Sequence, residues 1–233
     1  MVEDPFQSGR LLLPESMPEP SAAAEGIPFV AIVLVSVSIL LFLLILRNFL
    51  NVLPYLSDSM LRARGSYALE NSVKVSRDRN LVAAVFLVPA ILLAYRYRLY
   101  DPGFVQPLGP GMRLLVVAGV LSGYLLLRFI LYRWARPRRR YDDYQMSYRT
   151  GYTFFILLMM LSLTTVGILY ILHCSDLTVK TFLLVETAIV YVFYLIRRGQ
   201  ILSTSCNPLT TFLYLCALEL LPTAALVLTA VIL

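Results

Sequence analysis

The chain has 233 residues, of which 59% are apolar and only 15% charged, with a mean hydropathy of +0.75. A soluble domain of this size carries about 25% charged residues, so the composition excludes an ordinary water-soluble fold and predicts a polytopic membrane protein. The formal charge of +6 would suggest nucleic acid in a soluble protein. Here most basic residues fall in short connections between apolar runs, where they set orientation and meet anionic headgroups, so no nucleic-acid partner is expected.

Residues 1–26 are acidic and rich in proline, with Glu3, Asp4, Glu15, Glu19 and Glu25 against Arg10. They lack the basic start of a cleaved signal peptide and read as a flexible outer (periplasmic) tail. Six apolar runs follow, at about 27–46, 80–97, 113–134, 151–172, 178–196 and 209–232. Each is long enough to cross the hydrocarbon layer as a helix, which predicts an all-α transmembrane bundle over 27–233. The second run carries Pro89, which a membrane helix tolerates as a kink.

Orientation follows from the basic residues. Arg47, Arg62, Arg64, Lys74, Arg77, Arg79, Arg133, Arg136, Arg138, Arg139, Arg140, Arg149, Arg197 and Arg198 fall on one side; Arg10, Arg96, Arg98, Arg113 and Lys180 fall on the other. The positive-inside rule puts the first group in the cytoplasm and both termini in the periplasm.

The connection 47–79 is too long for a turn. Phe49, Val52, Leu53, Leu56, Met60, Ala63 and Tyr67 recur at spacings of three and four. This predicts a cytoplasmic amphipathic helix whose apolar stripe either sinks to the acyl boundary or covers the bundle. The polar stretch that ends the connection, with Glu70, Asn71, Lys74, Arg77 and Arg79, reads either as a cytoplasmic contact for another membrane protein or as a solvated loop. Asp101-Pro102-Gly103 and Pro107-Leu108-Gly109-Pro110-Gly111 set a stiff outer loop. After the third run, Arg136, Arg138, Arg139 and Arg140, with Tyr141, Tyr144 and Tyr148 at helical spacing, form a candidate anchor for anionic lipid headgroups.

Four residues within the runs bear on function. Glu186 and Glu219 each stand near the middle of an apolar run, about 12 Å and about 15 Å from its entrance, where an unpaired charge costs several kcal/mol. At matching depths they could meet and titrate as a pair. Arg128 can either snorkel to the headgroups or reach Glu219. Pro222, three residues after Glu219, removes an amide donor and disturbs the preceding turn, which serves either as a polar pocket or as a packing device. Gly119, Ser122 and Gly123, with Ser162, Thr164, Thr165 and Gly167, read as seams of close helix approach.

Chemistry of other kinds finds little purchase. Cys174, Cys206 and Cys216 show no paired spacing and His173 is the single histidine, so neither a disulfide framework nor a metal site is expected. His173-Cys174-Ser175-Asp176 are neighbours in an outer turn, a placement that seldom makes one site. No phosphate-cradling glycine loop or nucleophile and base set is present, so no cofactor and no catalysis are expected. No internal repeat supports a transporter of the inverted-repeat type.

The closing run Phe212-Leu213-Tyr214-Leu215-Cys216-Ala217-Leu218-Glu219-Leu220-Leu221-Pro222 resembles the end of an uncharacterised multipass inner-membrane family of Bacteroidota, a domain of unknown function. The pattern of apolar runs with basic inner loops is similar over roughly 40–233. The resemblance implies an inner-membrane location and draws attention to Cys216, Glu219 and Pro222, but carries no activity. The leading expectation is a non-enzymatic subunit or accessory factor of a larger inner-membrane complex, for example in envelope biogenesis or protein export. The alternative is a proton-linked transporter or channel component that uses Glu186 and Glu219. Lipid handling by the 136–140 arginines is a third reading.

Overall fold

The computed structural model describes residues 29–61, 72–134, 141–203 and 207–232. Of the described residues 89% are helical, and among them are six helices long and apolar enough to cross a membrane, in an all-α bundle. In chain order these are α1 (Phe29–Leu61), α2 (Val73–Arg96), α3 (Pro110–Trp134), α4 (Tyr141–Ile171) and α5 (Asp176–Ser203). The sixth crossing is α6 (Pro208–Leu215), a π-helical turn (Cys216–Leu220) and α7 (Leu221–Ile232).

The helices outrun the apolar stretches because hydropathy marks only the part that meets oil. Residues 73–79, expected as loop, are the first two turns of α2, whose N-cap Ser72 accepts from the Val75 amide at 3.5 Å. Likewise α4 starts at Tyr141, ten residues before its apolar run. At the other connection, α1 runs without a break through Pro54 to Leu61, where a separate interfacial helix was expected. Phe49, Val52 and Leu56 of the expected stripe are buried in a core with Val82 and Phe86 of α2 and Ile156 and Met159 of α4. As far as Leu56 the stripe therefore covers the bundle. Its continuation through Ala63 and Tyr67 lies outside the described residues, as does the tail.

Packing of α1 is chiefly against α2. Phe86 stacks on Phe42 with ring centroids 5.8 Å apart and meets Phe49 edge-on at 5.9 Å. Beyond that, α2 packs on α3 and α4, α4 on α5, α5 on α6, and α3 on the π turn and α7. The last set of contacts brings α3 and α5 to the two flanks of Glu219.

One group of expected seams is not borne out. A Cβ added at Gly119, Gly123 or Gly167 would meet nothing within 4 Å, and Ser122 and Thr164 are exposed. Small residues allow close approach but do not create it; these stand on faces that α3 and α4 turn outward. The tight glycine is Gly151, where a Cβ would lie 3.1 Å from Nη2 of Arg128.

Candidate functional site

Polar residues at helical spacing on three helices converge on one carboxylate. On α3 they are Tyr124, Arg128 and Tyr132; on α5, Tyr191, Tyr194 and Arg198; on the sixth crossing, Glu219 and Thr223. Spacings of three and four put each set on one helix face. Glu219 is completely buried, and Oε1 accepts from Arg128 Nη2 at 2.8 Å, Tyr132 OH at 3.0 Å and Tyr194 OH at 2.9 Å. It also forms an ion pair with Arg198, itself completely buried.

The second layer holds the donors in place. Arg198 donates through Nε to Ser147 Oγ of α4 at 3.0 Å and through Nη1 to Tyr194 OH at 3.0 Å. Its guanidinium carbon lies 4.6 Å from the Tyr132 ring centroid, close enough for a cation–π contact. Arg128 also donates to Tyr194 OH. Tyr144 OH donates to the Tyr132 carbonyl at 3.0 Å, and Tyr148 packs on the Tyr132 ring at 4.4 Å. Two guanidiniums and two phenols thus surround a single acid, with Ser147 behind Arg198, the kind of polar company that keeps ionisable groups far from water.

The backbone at Glu219 is shaped for this role. Pro222 has no amide to give the Leu218 carbonyl, and the chain widens into the π turn, where the Leu221 amide bonds back to the Cys216 carbonyl. An inserted π turn rotates the residues beyond it relative to an α-helix and is frequent at functional sites. The Glu219 carbonyl then accepts from Thr223 Oγ1 at 2.7 Å and Tyr191 OH at 3.2 Å, while Thr223 Oγ1 also meets Tyr191 OH at 3.0 Å and Tyr124 OH at 3.2 Å. Pro222 is buried and directly precedes Thr223, so the residue that lacks an amide stands next in the chain to one of these hydroxyls.

The two intramembrane acids do not pair. Glu186 accepts from Ser162 Oγ of α4 at 2.9 Å, whereas the level of Glu219 on α5 is that of Tyr191, Tyr194 and Arg198. Glu186 stands eight residues before Tyr194 on the same helix, about 12 Å away along the axis. Depth counted from the ends of apolar runs placed them level because such a count ranks residues along each helix without saying which helices touch, and Glu186 faces α4. Between the two readings for Arg128, the ion pair with Glu219 is what forms.

Several expected site residues stand elsewhere. Tyr144 and Tyr148 were expected at headgroups; Tyr144 is 5% exposed and Tyr148 half-buried, both inside the aromatic cluster around Tyr132. They leave the lipid because α3 and α4 cross here and the rings fill the crossing. Arg79, expected at a partner's surface, is 1% exposed, with Nη2 bonded to Ser76 Oγ and Asn80 Oδ1. Lys74 and Arg77 are exposed. Glu70, Asn71, Arg136, Arg138, Arg139, Arg140 and the Tyr141 side chain lie outside the described residues. Cys216 sits in the π turn, and Cys174 in the α4–α5 turn, next to His173 in the left-handed conformation (φ 52°). No group of three or more potential metal ligands occurs among the described residues.

Arg198 was counted among loop charges and its role was missed, along with Ser147, Tyr132, Tyr191 and Tyr194. Comparison with family models, with characterised proteins and with solved structures found no match for the chain.

Proposed function

We propose that this integral membrane protein is a non-enzymatic subunit or accessory factor of a larger membrane assembly. The observation that carries the reading is the closure of the Glu219 centre. Its carboxylate is wholly buried and engaged from α3 and α5. Such a centre ties helices together.

Most of the described residues lie in the six candidate spans, which favours work shared with other membrane proteins. In support, large apolar side chains of α1 from Phe29 to Leu40 are exposed, and α1 is held chiefly by α2. The resemblance of the Phe212–Pro222 segment to a Bacteroidota family favours the inner membrane of a Gram-negative cell, and the basic loops favour periplasmic termini. Envelope biogenesis or export are the processes such a location suggests. Purification from native membranes in mild detergent tests the reading. A partner at near-equal stoichiometry is expected, and a chain that elutes alone overturns it.

A second reading, a proton-linked transporter or channel component, has one observation in its favour. Hydroxyls continue from Glu219 through Thr223, Tyr191 and Tyr124, and further along α7 Thr229 accepts from Tyr100 OH at 3.3 Å. Thr223 and Thr229 are about 9 Å apart along the helix, however, too far for a direct hydrogen bond. Proteoliposomes with Glu219→Gln separate the two readings. Loss of a pH-dependent flux from a folded variant would establish transport, and the same flux in variant and parent would remove Glu219 from it.

A further inference from the structure

We infer that the cleft where α1, α2 and α4 meet is a binding site for the headgroup of an anionic phospholipid. Two cavities adjoin there and share Val73 and Arg77. One, of about 560 Å³, lies between Asn48 of α1 and the α2 residues Lys74, Arg77, Asp78 and Leu81; the other, of about 320 Å³, lies between Arg77, Asn80 and Arg149 of α4. Lys74 and Arg77, both exposed, stand with Asp78 as the one carboxylate among the described lining residues, and the Arg149 guanidinium borders the second cavity, so the described lining favours an anion. Asn48, Ser76 and Asn80 add neutral polar groups at the walls, suited to the ester and hydroxyl oxygens that flank a phosphate.

The lining also distinguishes a lipid from a free anion. Arg77 and Asp78 each stand three or four residues from both Lys74 and Leu81, so the four form one stripe along α2. Leu81, 42% exposed, is seven residues past Lys74, about 10 Å along the axis toward the apolar middle of the span. Along that stripe the surface passes from cationic to apolar over the distance that separates a phosphate from the first acyl methylenes. Inorganic phosphate would gain from the cations but nothing from Leu81. This inference stands apart from the subunit reading, since a lipid site serves a lone protein equally well.

The test uses the full chain in phosphatidylcholine nanodiscs doped with phosphatidylglycerol, with bound lipid counted by native mass spectrometry. Enrichment of phosphatidylglycerol over its bulk share is expected, with a loss on the order of fivefold for each cation removed in Lys74→Gln and Arg77→Gln. The swap Lys74→Arg with Arg77→Lys should keep the enrichment, and Asp78→Asn should raise it. If the glutamine variants fail to fold, Asp78→Asn decides alone: no rise overturns the site. Equal phosphatidylglycerol on parent and glutamine variants also overturns it, as does displacement of the lipid by millimolar inorganic phosphate.

Discussion

Gly151 and Arg128 occupy one shared volume: the hydrogen side of Gly151 on α4 is the floor on which the Arg128 guanidinium rests, with Nη2 3.1 Å from where a Cβ would stand and Tyr194 OH 3.6 Å from the same point. A methyl group there can be met by a small shift of a long side chain, but Nη2 is the atom bonded to Glu219. Gly151→Val should therefore destabilise the bundle by about 1–3 kcal/mol, the usual cost of overpacking. Gly123→Ala, which meets nothing, should be neutral or slightly stabilising through reduced backbone freedom. Thermal unfolding in detergent, followed for both variants beside the parent, checks the contrast; equal melting temperatures would show that Arg128 does not depend on Gly151.

The ion pair of Arg198 with Glu219 predicts an asymmetry between single and double substitutions. Glu219→Leu leaves two buried guanidiniums facing one another without their acid, and removal of one partner from such a group costs about 3–5 kcal/mol. Adding Arg198→Met to Glu219→Leu takes away one of the stranded charges and should recover part of that loss. A double-substitution cycle read by unfolding in detergent measures the coupling. Additive losses would mean that the two side chains stabilise the bundle independently.

The span count and the helical class could be read from residue type and spacing alone, and the pairing of Arg128 with Glu219 was one of the two outcomes they left open. A charge amid oil must find a partner, and few are on offer. Arg198 could have been found the same way, since Tyr191, Tyr194 and Arg198 share a helix face just as Tyr124, Arg128 and Tyr132 do. It was overlooked because Arg197 stands beside it, and a basic pair at the end of an apolar run reads as a headgroup anchor. Only a three-dimensional crossing tells which of two adjacent arginines turns inward. The proposed meeting of Glu186 with Glu219 erred for a related reason: residues can be ranked by depth from sequence, but which helices touch cannot, and Glu186 lies against Ser162 of α4. The glycines failed as guides because an outward-facing Gly119 and an inward-facing Gly151 look alike in a sequence.

Two exposed-end ion pairs should differ in worth. Arg113 and Asp101 join at 2.8 Å with side chains 7% and 17% exposed, and the pair clamps the start of α3 to the outer loop. Arg96 and Asp176 join at 3.0 Å but are 58% and 64% exposed. Water and salt screen the second pair, so Asp176→Asn should cost less than about 1 kcal/mol. Asp101→Asn should cost more, because it leaves a nearly buried guanidinium without its carboxylate. The measurement is the melting temperature of each variant at low and high salt. A salt-sensitive Arg113 pair with an insensitive Arg96 pair would reverse the argument.

Sidedness follows from the same charges and can be tested at two described positions. Lys74 opens α2 and is exposed, while Asp176 opens α5 and is exposed at the opposite end of the bundle, since α2 runs from Lys74 toward Arg96, whose guanidinium meets Asp176. The basic residues gather at the Lys74 end, with Arg77 and Arg149 near it, so the positive-inside rule assigns that end to the cytoplasm. In a background without Cys174, Cys206 and Cys216, an Asp176→Cys chain should react with a membrane-impermeant maleimide applied to intact spheroplasts. A Lys74→Cys chain should react only after the membrane is opened. The reverse pattern would turn the protein over, and would put the chain ends and the cationic cleft on the faces opposite to those argued from charge.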